Sequence, residues 1–290
     1  MEEKKSRTSI FQSKYKREIM TKLLAYILLG TASIILLIPI IWMITTALKP
    51  LDEVYIFPPT WIPKQILWGN FIEALTFLPF SIYFKNTAII TLLSMLGQLM
   101  SSSVVAYGFA RLRAKFRDVL FMLVLATMML PSQVTMIPLF ILFKTLGWVD
   151  TFKPLIVPNF FGNAFFIFLL RQFYMTIPTE LDDAAKIDGC GYFGIYQRIL
   201  LPLIKPALAT IAIFSFMWGW NDFMGPLIYL NSPEKLTVAL GLSRFTGVYG
   251  STAWNLLMAA SLVAVLPCIV LFFFAQRYFI QGIVITGLKG

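Results

Sequence analysis

Few residue types in this chain could carry out chemistry. Its 290 residues include no histidine and only two cysteines, Cys190 and Cys268. The commonest proton shuttle and metal ligand is therefore missing, and two isolated thiols make neither a disulfide framework nor a metal-ligand cluster. No catalytic residue, metal site or bound cofactor is expected. Two polar constellations stand out from a sequence that is 58% hydrophobic and 13% charged. One lies in residues 179–206, a mixed-charge interval that holds Glu180, Asp182, Asp183, Lys186, Asp188, Arg198 and Lys205. The other is Trp218, Trp220, Asn221 and Asp222, which bring two indole faces, an amide and a carboxylate close together.

The first constellation reads as a short helix in need of a partner. Thr179 and Asp182 have the spacing of a capping box, with Asp in place of Glu or Gln, and Pro178 ends the segment before it. Gly189 and Gly191 supply the stop. Residues 180–188 would make about two and a half turns, roughly 13 Å at about 1.5 Å per residue. Leu181, Ala184, Ala185 and Asp188 fall at i, i+3, i+4 and i+7 and so share a face. A helix this short does not hold itself together in water, because nucleation is costly. Its small residues invite close docking. A solvated loop with a simple turn at Asp188 and Gly189 is the alternative that spacing leaves open.

The elements that position both sets must be membrane helices. A charged share of 13%, against about a quarter in soluble domains, excludes an ordinary soluble protein. A net charge of +10 would suggest nucleic acid in a soluble chain. In a membrane chain, basic residues collect in cytoplasmic loops and set orientation, so no nucleic-acid partner is expected. A span needs about 20 apolar residues. The sequence supplies such runs at 23–48, 86–110, 119–143, 154–174, 207–230 and 256–275. Residues 23–275 then form a six-helix transmembrane domain, preceded by a basic segment (1–22) and followed by a tail (276–290). The run at 23–48 exceeds the apolar region of about 7–15 residues in a secretory signal. Pro39, Pro131 and Pro138 are expected to bend or interrupt their helices, and Ser101, Ser102, Ser103 and Gly108 to form a closely packed face.

Six spans place both termini on one side, and the basic residues say which. On this assignment seventeen of the 24 lie on the side of the termini, while Lys49, Lys64, Lys85, Lys144, Lys153, Lys235 and Arg244 lie opposite. Both termini and the 176–206 loop are therefore expected in the cytoplasm. Asp222 is the one acidic residue placed within a span, where a charge costs about 2.5–3.5 kcal/mol at a helix centre. It should face protein or water. A contact in a translocation path, a structural hydrogen bond between helices and a place nearer the outer interface all remain open.

The chain resembles the permease subunits of binding-protein-dependent ABC importers. Their EAA loop reads Glu-Ala-Ala, three residues, Gly, nine residues, Ile, one residue, Leu-Pro. Asp183, Ala184, Ala185, Gly189, Ile199, Leu201 and Pro202 fill every one of those positions, with Asp183 where the family has Glu. FPPTWIP at 57–63, Asn70-Phe71, Pro79-Phe80, Asn86-Thr87, WGWNDF at 218–223 and the 276–290 tail are similar to the carbohydrate branch, in particular to the G subunit of the maltose importer. The resemblance implies a type I importer transmembrane fold in a bacterial cytoplasmic membrane. It implies that Asp183, Ala184, Ala185, Asp188, Gly189, Ile199, Leu201 and Pro202 couple the chain to two ATPase subunits, which bind ATP and Mg. A second related permease, an external solute-binding protein and a sugar or oligosaccharide substrate are implied with them. Trp218, Trp220, Asn221 and Asp222 would line the path, and Gly241, Gly247 and Gly250, in the 231–255 loop, would let that loop adapt to the binding protein. The sequence contains no Gly-x4-Gly-Lys-Ser/Thr phosphate loop, so ATP falls to another polypeptide. The competing class is a secondary, ion-coupled transporter without an ATPase, which would be built from repeats around midplane charges. No repeat is evident, and Asp222 stands alone.

Overall fold

The computed structural model describes the backbone of residues 2–246 and 252–287, with side chains for 18–246 and 252–276. Every regular element among the described residues is helical. In chain order these are α1 (Glu2–Ala47), α2 (Gly69–Phe77), α3 (Phe80–Arg111), α4 (Arg117–Thr127), α5 (Ser132–Thr145) and α6 (Ala164–Thr176). They are followed by α7 (Glu180–Ile187), α8 (Tyr192–Leu203), α9 (Lys205–Trp220), α10 (Met224–Tyr229), α11 (Val238–Ser243) and α12 (Trp254–Gly287), with single turns between some of them.

Among the described residues, Glu18–Ala47, Phe80–Arg111, Lys153–Thr176 and Trp254–Gln276 are each long and apolar enough to cross a membrane. Two bent pairs, α4 with α5 at 95° and α8 with α9 at 76°, raise the number to six if each pair is one span. Several expected boundaries change. The third span, expected at 119–143, is two helices that meet at Pro131, which precedes α5 with extended backbone and has no N–H to continue α4. The fifth, expected at 207–230, stops at Trp220. The second begins at Phe80, and the sixth runs on to Gly287, so the tail expected from 276 is helical through that residue.

The chain divides into two compact units. In the first (residues 1–74 with 253–262), polar contacts gather at the end of α1. Asn70 Nδ2 donates to the Ala47 and Lys49 carbonyls, each at 2.8 Å, which satisfies groups the helix end leaves free. Lys49 is buried, donates to the Thr60 carbonyl and lies over the Trp42 ring. Glu53 accepts from the Thr60 hydroxyl and the Lys64 amide, so the 57–63 stretch folds back on the chain.

In the second unit (residues 75–252 with 263–290), α3 is the central helix, with α6 and α9 packed along it. Many of its buried positions are small or polar, among them Thr87, Thr91, Ser94, Gln98, Ser102, Ser103 and Ala106. Lipid tails are as apolar as leucine, so helix association in a membrane rests on close packing and interhelical hydrogen bonds. Ser94 donates to the Leu155 carbonyl and Ser101 to that of Asn159. Asn86 Nδ2 donates to the Glu234 and Leu236 carbonyls, and Thr87 Oγ1 accepts from the Val238 amide. Gly108, expected on the packed face, has open space beside it.

Candidate functional site

The last two turns of α3 carry a stripe of Ser103, Tyr107 and Arg111, four residues apart and therefore on one face. The Ser103 hydroxyl lies 2.8 Å from that of Tyr196 in α8. Tyr107 donates to the Tyr192 carbonyl at 3.0 Å, and its ring packs on those of Tyr174 and Tyr196. Arg111 Nη2 donates to the Tyr174 and Ile177 carbonyls at 2.7 and 2.6 Å. These carbonyls close the C-terminal end of α6, where unpaired acceptors and the helix dipole both favour a cation.

The other edge of the guanidinium meets Asp182 of α7. Arg111 Nε lies 3.6 Å from Asp182 Oδ2, with the two side chains 4% and 9% exposed. That distance is beyond a hydrogen bond. Arg111 Nε and Asp182 Oδ1 are both buried without a hydrogen-bond partner, and a buried polar group left so costs about 1–3 kcal/mol. Burial pushes the Asp182 carboxyl above its ordinary range, while the Arg111 charge pulls it the other way. A cleft of about 700 Å³ opens beside the pair, lined by Arg113, Arg117 and Lys186 as well as by Arg111 and Asp182.

Helix α7 forms where residues 180–188 predict it, but it is oriented differently. Thr179 makes no side-chain cap, and Asp182, expected to complete a capping box, is turned inward to Arg111. The buried stripe is Asp182 and Ala185; Leu181, Ala184 and Asp188, expected to share the docking face with Ala185, are exposed. The buried charge pair decides this rotation, since an aspartate facing Arg111 brings Ala185 down with it. Asp183 is outward and pairs with Lys186 at 2.9 Å, which holds its carboxyl below the ordinary range. Ile187 is 88% exposed and Phe193 70%.

Gly189 ends α7 in the left-handed region, at φ 80°. The Cys190 amide donates to the Ala185 carbonyl and the Gly189 amide to that of Lys186, the paired bonds of a Schellman stop. Nothing lies within 4 Å of where a Gly189 side chain would begin, so the backbone alone demands glycine. Ile199, Leu201 and Pro202 belong to α8, whose Ile195–Leu200 stretch is a π turn. Pro202 has no N–H to donate to the turn before it, and α8 meets α9 at the 76° bend just beyond it.

The second constellation does not converge on a single surface. Trp220 is buried, and its indole donates to the Ala264 carbonyl at 3.0 Å, so it is not a stacking face. Asn221 is exposed and its amide turns back to the Met217 carbonyl at 2.8 Å, closing its own helix. Asp222 lies in the break between α9 and α10, not within a helix, and accepts from the Gly225 amide at 3.1 Å. The local turn therefore takes up one oxygen of its carboxylate. Trp218 is half-exposed, stacks on Phe166 at 5.2 Å and lines an apolar groove of about 360 Å³ with Ile213, Phe214, Met217 and Leu271.

The 231–255 loop departs furthest from expectation. Gly241 is neither exposed nor in a flexible loop: it is buried in α11, where an added Cβ would come within 2.5 Å of the Tyr83 ring. Gly247 and Gly250 lie outside the described residues. The start of the loop is held by Asp150, which carries no motif signal in the sequence. Its Oδ1 accepts from the Asn231 and Ser232 amides at 3.0 Å, and its Oδ2 accepts from the Ser232 hydroxyl and from Lys235 Nζ at 2.8 Å. These bonds hold the carboxyl far below its ordinary range. Arg111 and Asp182 were missed as well. The available signal was an arginine ending an apolar span and an aspartate in a helix too short to stand alone.

Comparison with known proteins agrees with this architecture. Residues 98–285 match the family described as binding-protein-dependent transport system inner membrane component. The arabinooligosaccharides transport system permease protein AraQ of Bacillus subtilis is 37% identical over 263 residues, covering 89% of this chain and 92% of that protein. The probable starch degradation products transport system permease protein AmyC of Thermoanaerobacterium thermosulfurigenes is 35% identical, over 79% of this chain and 83% of that one. A bacterial ABC transporter involved in import of the acidic polysaccharide alginate shares the fold, with a TM-score of 0.80 at 23% identity over 90% of this chain and 96% of that one. An all-helical membrane domain of this kind is that of a transporter subunit. The chain belongs to the family of inner membrane components of binding-protein-dependent transport systems.

Proposed function

We propose that this chain is one of two permease subunits of an ATP-driven importer in a bacterial cytoplasmic membrane. It carries a sugar or oligosaccharide delivered by an external binding protein, and both of its termini are cytoplasmic. ATP and Mg are bound by two ATPase subunits, which engage the chain through α7 and the turn after it. The observation that carries this reading is the presentation of α7. The helix is anchored on one side by Asp182 and Ala185, while its Leu181 and Ile187 stand exposed beside charged residues, with Phe193 exposed at the start of α8. Exposed apolar side chains rimmed by polar ones suit a protein partner. The sugar class rests on the relatives, which are named for arabinooligosaccharides and starch degradation products. A carboxylate absorbed in a backbone turn, as Asp222 is, offers little to ion coupling, which counts against a secondary transporter.

The test is reconstitution. The chain co-expressed with its neighbouring permease, ATPase and binding protein should form one complex, and sugar-loaded binding protein should stimulate both ATP hydrolysis and uptake into proteoliposomes. A chain that purifies alone and transports without an ATPase would overturn the reading. An impermeant thiol reagent should reach Cys190 in inside-out vesicles and not in intact cells.

A further inference from the structure

We propose that Arg111 and Asp182 form a movable joint between α7 and the helical body, one that closes into a direct hydrogen-bonded pair when a partner pushes on α7. Arg111 is a positioning residue on the fixed side. Its Nη2 is held by two carbonyls at the end of α6, and Tyr107, one turn back on α3, is held by the Tyr192 carbonyl. Asp182 is the moving side. Its helix is followed by Gly189 and Gly191, both with open space around them, and the cleft beside the pair leaves room for travel.

The contact itself is incomplete. The two side chains are almost fully buried at 3.6 Å, with a donor on one and an acceptor on the other unused. Buried polar groups are ordinarily satisfied, so an orphaned guanidinium donor beside a carboxylate with one orphaned oxygen marks an arrangement with a second, tighter state. A shift of α7 of less than 1 Å would bring Nε within hydrogen-bond range of Asp182. Beyond α7 the π turn of α8 and the 76° bend into α9 lie in the direct chain path, and π turns inside helices are frequent at functional sites. The joint would therefore bias two packings of the same elements.

This inference rests on the importer reading, and its test separates the two. In the complete reconstituted complex, ATP hydrolysed per sugar imported would be measured for the wild type, Asp182→Asn and Arg111→Lys, each normalised to assembled complex. Asp182→Asn removes the charge that draws the pair together, and Arg111→Lys keeps a charge but cannot bridge the carbonyls and the aspartate at once. Both are expected to raise the ratio by about fivefold or more, the lower end of an ordinary coupling energy. A pair that only stabilises the fold would lower complex yield while leaving the ratio per complex unchanged, and a ratio that rises by less than fivefold in the variants that assemble overturns the joint. If Asp182→Asn does not assemble, Arg111→Lys decides. A wild-type complex whose hydrolysis ignores the loaded binding protein would instead sink the importer reading.

Discussion

Two aspartates tie loops to the helical unit that contains α3, and they do so in opposite ways. Asp150 is partly exposed and fully used: both oxygens accept hydrogen bonds from residues 231–235, and Lys235 also donates to its backbone carbonyl. Asp182 is nearly buried and underused, with one oxygen orphaned and the other 3.6 Å from its arginine. A satisfied clamp fixes the segment it holds, whereas an unsatisfied buried contact leaves a reserve that movement can claim. The segment at 229–235 is therefore built to stay, and α7 is built to shift. The constellation at 218–222 sides with the clamp, since Trp220, Asn221 and Asp222 all spend their polar groups within the chain.

The contrast can be broken by mutation. Arg111→Ala should have the largest effect, because it leaves Asp182 buried without its charge partner and two carbonyls unpaired; a loss of about 3–5 kcal/mol is expected, read as a fall in the thermal midpoint and yield of the complex. Gly189→Val comes next. It forces a β-branched residue to φ 80° at a cost of about 1–2 kcal/mol, without any clash, so uptake should fall more than complex yield. Trp220→Phe should cost about 1 kcal/mol, the worth of one hydrogen bond, while Trp218→Phe, which keeps the stack on Phe166, should leave the thermal midpoint unchanged.

The smallest effect is in pH dependence, where the two aspartates should pull in opposite directions. Asp150 has a folded carboxyl held below its unfolded value, so its stabilisation is present above about pH 4 and lost as pH falls through the folded value. Asp182 has a folded value raised by burial, so its contribution is present below about pH 4 and lost as pH rises through that raised value. Asp150→Asn should flatten the acid limb of the thermal midpoint against pH, and Asp182→Asn should raise the limb just above pH 4 relative to the acid one. Slopes of the same sign for both would erase the contrast between clamp and joint.

Much of this was legible in the chain itself. Composition alone placed it in a membrane, because so few charged residues cannot cover a soluble surface. Proline and glycine marked the break at Pro131 and the stop at Gly189, since a missing N–H and a left-handed backbone are local properties. The 180–188 helix followed from its flanks. What periodicity could not supply was rotation about the helix axis: Leu181, Ala184 and Ala185 fit one face equally well until a buried charge outvoted them. Nor could it reveal that Trp218 and Trp220, two residues apart, serve different ends, one half-exposed and one bound to Ala264. Gly241 shows the same limit, since a glycine made necessary by Tyr83 looks in sequence like a flexible one. Helix identity and membrane location were decided by the order of residues, through backbone preference and transfer from water. Which side chain faces which, and so which contact is complete and which held in reserve, was decided only in the tertiary structure, because hydrogen bonds between residues tens of positions apart depend on distances that no local pattern encodes.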